Sequence, residues 1–164
     1  MTTAFIIGLI AMLGIFVAYN IYILYRFWIP ESLSETSYLL GSKKWIFSLV
    51  CVLFTLIVLP PWLSQSEPNT ELLSFIACGG IAFAGLTPMY RESFQKNIHY
   101  TSAIISAISM IAWMIFNEPL LIALLGVLFI IPTAFKPKSY VYWFELESFI
   151  VVINYLIESY GSIW

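Results

Sequence analysis

Two glutamates lie inside an otherwise apolar segment near the end of the sequence. Glu145 and Glu147 fall in the run that begins at Tyr140. A charged group within hydrocarbon costs several kcal/mol unless it is paired or hydrated, so such residues are candidates for function. On a helix they differ by about 200° at roughly 100° per residue. We therefore expect one to face the bundle and the other to extend towards the interface.

Other polar residues lie where apolar segments end. Ser34, Glu35 and Thr36 follow the first segment, and Arg91 and His99 lie between the third and the fourth. Hydroxyls, a carboxylate, an imidazole and a guanidinium on one rim would suit a phospholipid head group or a small polar ligand. The alternative is structural, with Arg91 paired to a glutamate and His99 bonded locally. The candidate ligand-binding residues are Ser34, Glu35, Thr36, Arg91, His99, Glu145 and Glu147.

Several kinds of chemistry are disfavoured by residue type. The chain has one histidine and no aspartate, so metal sites of the HExxH type and the usual magnesium sites are not expected. No phosphate-binding glycine loop and no large basic patch is present, which disfavours nucleotides and nucleic acids. We predict no cofactor and assign no catalytic residue, although His99 paired with a glutamate leaves an enzymatic alternative open.

The composition indicates a membrane protein. Of 164 residues, 61% are apolar and 10% are charged, and the mean hydropathy is +0.92, whereas soluble domains have about 45–50% apolar and about 25% charged residues. We predict an all-α, polytopic bundle that forms a single transmembrane domain over residues 1–164. Its six transmembrane helices are predicted at residues 4–28, 44–63, 71–90, 99–116, 119–135 and 140–160.

The basic residues predict the orientation, because all seven flank the first, third and fifth loops. Lysine and arginine accumulate in short cytoplasmic loops. We therefore expect these three loops in the cytoplasm, both termini outside, and a bacterial inner membrane as the location. The basic residues are Arg26, Lys43, Lys44, Arg91, Lys96, Lys136 and Lys138. Tryptophans are expected at the interfaces, namely Trp28, Trp45, Trp62, Trp143 and Trp164.

Small residues predict which helices approach closely in lipid. The third and fourth spans carry many of them, including Gly79, Gly80 and Gly85 in the third and Ser102 and Ser106 in the fourth. We expect these two spans to form the tightest pair, within one protomer or between copies of a homo-oligomer. The cysteines, at positions 51 and 78, are expected to be buried thiols.

A pore is a further alternative, since the last span carries a polar stripe at helical spacing. Glu147, Val151, Asn154 and Glu158 follow one another at i, i+4, i+7 and i+11. We expect this stripe to face protein or water. The other spans are nearly free of polar residues, so a pathway would have to form between copies of the chain.

Three stretches resemble the Frag/DRAM/Sfk type of six-helix membrane proteins and related bacterial membrane proteins. The first runs from Ile29 to Thr36, before Trp45; the second contains His99; and the third starts at Trp143. The resemblance implies a role in lipid-anchor remodelling or phospholipid distribution. It also implies functional positions, at Ser34, Glu35, Thr36, His99 and either Glu145 or Glu147.

Together these observations favour a non-enzymatic, lipid-interacting or regulatory membrane protein. Its polar cytoplasmic rim would bind a lipid head group, and its partners would be membrane lipids. The alternatives are a lipid-modifying enzyme that uses His99 with a glutamate, and an oligomeric channel or pore.

Overall fold

The computed structural model describes residues 2–86, 93–126 and 139–161. Within these ranges the chain is helical and contains no strand. A short α2 and a 3₁₀ turn interrupt the loop after α1. The helices are α1 (Thr2–Phe27), α2 (Thr36–Leu39), the 3₁₀ turn (Gly41–Lys43), α3 (Trp45–Ser64), α4 (Glu71–Leu86), α5 (Ser93–Asn117), α6 (119–126) and α7 (Tyr140–Gly161).

Four stretches of helix are long and apolar enough to cross a membrane: Thr3–Phe27, Gly41–Ser64, Asn97–Asn117 and Tyr140–Gly161. They coincide with four of the predicted spans. The helix in the third predicted span, α4, is apolar but has only 16 residues. Residues 87–90 and 127–135, which complete the third and fifth predicted spans, lie outside the described residues. The all-helical membrane class is therefore supported, and the number of six spans stays a prediction.

The bundle packs in the order α5, α4, α3, α1, α7. The most extensive contacts join α4 to α5 and to α3, and α1 packs against both α3 and α7. The interior is filled by large side chains such as Trp62, Trp113 and Phe54. The outer faces are apolar as well: Ile7, Leu56 and other large aliphatic residues are more than half exposed. Apolar surfaces of this kind suit hydrocarbon as the surrounding medium.

The helices of the third and fourth predicted spans, α4 and α5, do approach each other closely, as their small residues predicted. A Cβ atom on Gly80 would lie 2.6 Å from the carbonyl oxygen of Ser102 and 2.7 Å from Cβ of Ser106, so only glycine fits at this crossing. The Ser106 hydroxyl also donates to the carbonyl oxygen of Ala77 at 2.7 Å. Both cysteines are buried free thiols, as expected.

The end of the bundle opposite the first loop is closed by aromatic and amide side chains. Trp62 was predicted at the interface but is fully buried, and its ring packs edge to face on Trp113 at 5.4 Å between centroids. Trp113 Nε1 donates to Ser66 Oγ at 2.8 Å. Asn117 Oδ1 accepts from the Glu67 backbone N–H at 2.7 Å. These contacts fix the loop between α3 and α4 to the end of α5.

Candidate functional site

A cavity of about 380 Å³ lies between α1, α3, α4, α5 and α7. It is located towards the end of the bundle that carries the first loop, residues 28–44, and the starts of α5 and α7. Its volume falls in the range of roughly 300–1,000 Å³ that is typical of small-molecule sites. Most of the wall is apolar, and its largest apolar members are Phe16, Phe47, Phe54, Met110, Phe144 and Phe149.

Polar side chains from three parts of the chain line the same cavity. Ser32 and Ser34 come from the first loop, His99 from the first turns of α5, and Glu145 and Ser148 from the start of α7. Three of the predicted site residues, Ser34, His99 and Glu145, are thus brought together although they are far apart in sequence. The cavity therefore has a polar end beside the first loop and an apolar body.

Glu145 is held in place by the first loop. Its Oε2 accepts a hydrogen bond from the Leu33 backbone N–H at 2.7 Å. A second bond links the same two elements, since the Tyr142 backbone N–H donates to the carbonyl oxygen of Glu31 at 3.0 Å. The start of a helix leaves backbone N–H groups without intrahelical partners, and the loop satisfies one of them here. The loop and α7 thus form one wall of the cavity.

His99 is fixed by the end of α4. The residue is 3% exposed, and its Nδ1 lies 3.0 Å from the carbonyl oxygen of Ala84. A carbonyl can only accept, so Nδ1 carries a proton in this contact. The ring of Tyr100 packs edge to face on that of His99 at 5.8 Å. The imidazole therefore joins α4 to α5 where both line the cavity.

Thr36 supports the site without lining it. Its side chain is fully buried, its hydroxyl donates to the carbonyl oxygen of Leu33, and Tyr19 OH donates to its oxygen in turn. Tyr19 itself lines the cavity. Thr36 therefore fastens the first loop to α1. It also positions Leu33, whose backbone N–H donates a hydrogen bond to Glu145.

The remaining predicted residues are not among those that line the cavity. The carboxylate of Glu35 accepts from the Glu31 backbone N–H at 2.5 Å and so closes the turn of the first loop. Glu147 is half-buried on another side of α7, and its Oε2 has no hydrogen-bond partner among the described residues. Arg91 lies outside the described residues. Of the two glutamates in α7, the one that faces the bundle is Glu145, while Asn154 and Glu158 of the polar stripe are exposed.

Sequence reasoning missed Ser148, Ser32 and Tyr19. Ser148 is fully buried, lines the cavity, and its Oγ has no hydrogen-bond partner among the described residues. A signal for it was present, because Ser148 follows Glu145 at the i+3 spacing that places side chains on one helical face. A buried hydroxyl without a partner costs free energy, so a ligand that bonds to it would gain affinity.

This arrangement suits a ligand with one polar and one apolar part. The polar end offers a carboxylate, hydroxyls and an imidazole, and the body offers aromatic and aliphatic side chains. No group of His, Cys, Asp or Glu suited to a metal ion occurs among the residues the structure describes.

Comparison of the chain with protein-family models, with curated proteins and with solved structures found no match.

Proposed function

We propose that this protein binds a single-chain amphiphile from the membrane, with its head group beside Ser34, His99 and Glu145 and its chain in the apolar body. The observation that carries the proposal is the cavity itself, which joins a polar end to an apolar wall within one space. Ligand sites in proteins commonly combine mostly apolar walls with a few convergent polar groups.

The dimensions of the cavity support one chain rather than two. On α5 the lining residues run from His99 to Met110, a rise of about 16 Å at 1.5 Å per residue. The volume of about 380 Å³ lies near the lower end of the roughly 300–1,000 Å³ found for small-molecule sites. A diacyl lipid would therefore leave one of its chains outside the cavity.

The membrane setting belongs to the same proposal. We propose six spans with the first, third and fifth loops in the cytoplasm and both termini outside, in a bacterial inner membrane. The support is the placement of all seven basic residues beside those loops. Kinship with the Frag/DRAM/Sfk type is likewise a proposal, and it rests on the three short stretches that resemble that family.

The test of binding is a variant that fills the cavity. Ala107 lines the cavity on α5, and Ala107→Phe would occupy the space of the chain. We expect purified wild-type protein to carry a defined amphiphile in native mass spectrometry, and the variant to lose it. Release of the ligand by denaturation, followed by lipid mass spectrometry, would identify it.

The matched control is the neighbouring residue on α5. Ile108 is 62% exposed and does not line the cavity, so Ile108→Phe adds the same ring on the outer face. This variant should fold and retain the ligand at the wild-type level. Equal amounts of the same bulk lipid in all three proteins would refute the proposal.

A lipid-modifying enzyme is the second candidate, because His99 and Glu145 line one cavity with several hydroxyls. An imidazole and a carboxylate can serve as general base and orienting group when a nucleophile is within reach. Incubation of the protein with a labelled lipid extract distinguishes the two functions. Products that form with wild type and disappear in His99→Ala would establish catalysis, whereas unchanged lipid would leave binding as the function.

A further inference from the structure

The polar end of the cavity is rich in hydrogen-bond acceptors. Glu145 contributes a carboxylate, and Ser32, Ser34 and Ser148 contribute hydroxyls. An ionised carboxylate accepts only, while a hydroxyl oxygen accepts through two lone pairs and donates once. Among the described residues that line the cavity there is no lysine or arginine. An anionic head group would thus meet a carboxylate without a neighbouring basic side chain from this set.

The carboxyl group of Glu145 has more hydrogen-bond acceptor sites than the contact with the first loop uses. Among the residues that the structure describes, its hydrogen-bond partner is the Leu33 backbone N–H, which donates to Oε2, whereas a carboxylate has about four lone-pair sites. In its ionised form this carboxylate is not balanced by a neutral amide, and an ionised carboxylate within apolar surroundings is stabilised mainly by a cation or by further donors. A hydrogen-bond donor on a ligand in the cavity would therefore stabilise the ionised side chain of Glu145.

Ser148 provides a second, independent observation in favour of a ligand that forms hydrogen bonds at this end of the cavity. It lies one turn beyond Glu145 on the same side of α7, is fully buried and lines the cavity. Its Oγ has no partner within the described ranges 2–86, 93–126 and 139–161. Serines within helices usually bond a carbonyl of the preceding turn, so an unpaired one beside a cavity indicates a ligand contact.

We propose that the cavity selects an amphiphile with a protonated amine as head group over one with an anionic head. An ammonium carries three donors and no acceptor, which matches the Glu145 carboxylate and the oxygen of Ser148. Charge-assisted bonds of this kind are about twice as strong as neutral ones. This inference rests on the proposed function, since it requires the cavity to hold an amphiphile at all.

The test compares three ligands that share one chain. Dodecylamine, dodecanol and dodecanoate are titrated into the protein in nanodiscs, and binding is measured by calorimetry. Cationic amphiphiles also partition into bilayers, so the signal of Ala107→Phe under the same conditions is subtracted as the nonspecific part. We expect dodecylamine to bind at least about tenfold more tightly than dodecanoate, the gain of one charge-assisted contact.

Two variants assign the preference to its residues. Glu145→Gln keeps an oxygen that can accept from Leu33 N–H, so the loop should stay in place, and we expect the preference for the amine to vanish while dodecanol still binds. Ser148→Ala should weaken binding of the amine by at least about tenfold, the value of one hydrogen bond to a charged group.

The outcomes separate the two proposals. If no ligand binds wild type more than it binds Ala107→Phe, the proposed function fails and the inference fails with it. If wild type binds dodecanol and dodecanoate with the same affinity as dodecylamine, or binds dodecanoate more tightly, the cavity does hold amphiphiles. The preference for an amine is then refuted. A preference for the amine that survives in Glu145→Gln would also overturn the role given to Glu145.

Discussion

Glu145 and Glu147 show how two residues of one type in one helix acquire different surroundings. They are separated by a single residue in α7, yet Glu145 lines the cavity and accepts from Leu33 N–H, while Glu147 lies on another side of the helix. The difference follows from the rotation of about 100° per residue. Only the first of the two can touch a ligand in the cavity.

Thr36 is the residue on which the position of the first loop depends. Its hydroxyl donates to the carbonyl oxygen of Leu33 and accepts from Tyr19 OH, and the side chain is fully buried. Thr36→Val keeps the shape but leaves the phenol of Tyr19 without this partner. We expect a loss of about 1–3 kcal/mol in the free energy of unfolding, the cost of a buried donor left unsatisfied.

Denaturation of the purified protein in mixed micelles would measure this loss. The matched control is Thr101→Val on α5. Thr101 is exposed, so this variant makes the same replacement of a hydroxyl by a methyl group at a position outside the core. The control should change stability by less than about 0.5 kcal/mol. A Thr36→Val protein as stable as the control would show that the bond between loop and α1 contributes little.

At the scale of helices, the pair α4 and α5 depends on one glycine. Gly80 and Gly79 are adjacent in α4, but a Cβ atom on Gly80 would collide with Ser102 and Ser106, whereas one on Gly79 would meet nothing within 4 Å. The close approach also allows Ser106 to donate to the carbonyl oxygen of Ala77 at 2.7 Å. Dispersion contacts and such bonds drive helix association in lipid.

Gly80→Ala and Gly79→Ala therefore form a matched pair. We expect Gly80→Ala to destabilise the protein by about 1–3 kcal/mol, as is usual for overpacking a close contact. Gly79→Ala should leave stability unchanged or raise it, since alanine favours the helix over glycine by up to about 1 kcal/mol. Melting temperatures in one detergent would measure both, and equal values for the two variants would contradict the close crossing of α4 and α5 at Gly80.

Helix α3 passes through two consecutive prolines before it ends. Pro60 and Pro61 lie inside the helix, which continues to Ser64. Each proline removes a backbone donor and so frees a carbonyl four residues earlier, and the last turn of a helix, in which Pro61 lies, also leaves carbonyls short of intrahelical partners. Here the carbonyl oxygen of Pro61 accepts hydrogen bonds from Ser64 Oγ at 3.0 Å and from Tyr160 OH at 3.2 Å. A partner from α7 thus helps to satisfy the end of α3.

For the whole molecule, hydrogen bonds between side chains and loops concentrate at the two ends of the bundle. One end joins the first loop to α7 through Leu33 and Glu145, and the other joins the loop after α3 to α5 through Ser66 and Trp113. Between them, a few side chains bond from helix to helix: Tyr142 OH donates to Asn20 Oδ1 at 3.0 Å, and Ser106 Oγ donates to the carbonyl oxygen of Ala77 at 2.7 Å. This distribution is that of a protein whose middle lies in hydrocarbon and whose ends are near water.

The proposed orientation is tested at this scale by labelling single cysteines in cells. Ser42 in the first loop and Glu67 in the loop after α3 are both exposed, and the native cysteines are buried. With a reagent that does not cross the membrane, we expect Glu67→Cys to react in intact cells and Ser42→Cys only after lysis. The reverse pattern would invert the orientation, and labelling of both in intact cells would refute a membrane between the two loops.

The sequence alone determined the class of this protein and much of its helix plan. Apolar runs in lipid must become helices, because every backbone polar group has to be bonded internally. The breakers around Pro30 and the small residues at Gly80 and Ser106 therefore predicted where α1 ends and which helices pack closely. These are local properties that composition and spacing encode directly.

The tertiary structure decided which polar residues share a site. Ser34, His99 and Glu145 line one cavity, whereas Glu35 closes its own turn and Ser148, which was not among the predicted residues, joins the site. Such outcomes depend on how each helix is rotated about its axis and on which loop satisfies its end. Those quantities are fixed by packing between elements that are distant in sequence, so the spacing of residues along a single helix does not contain them.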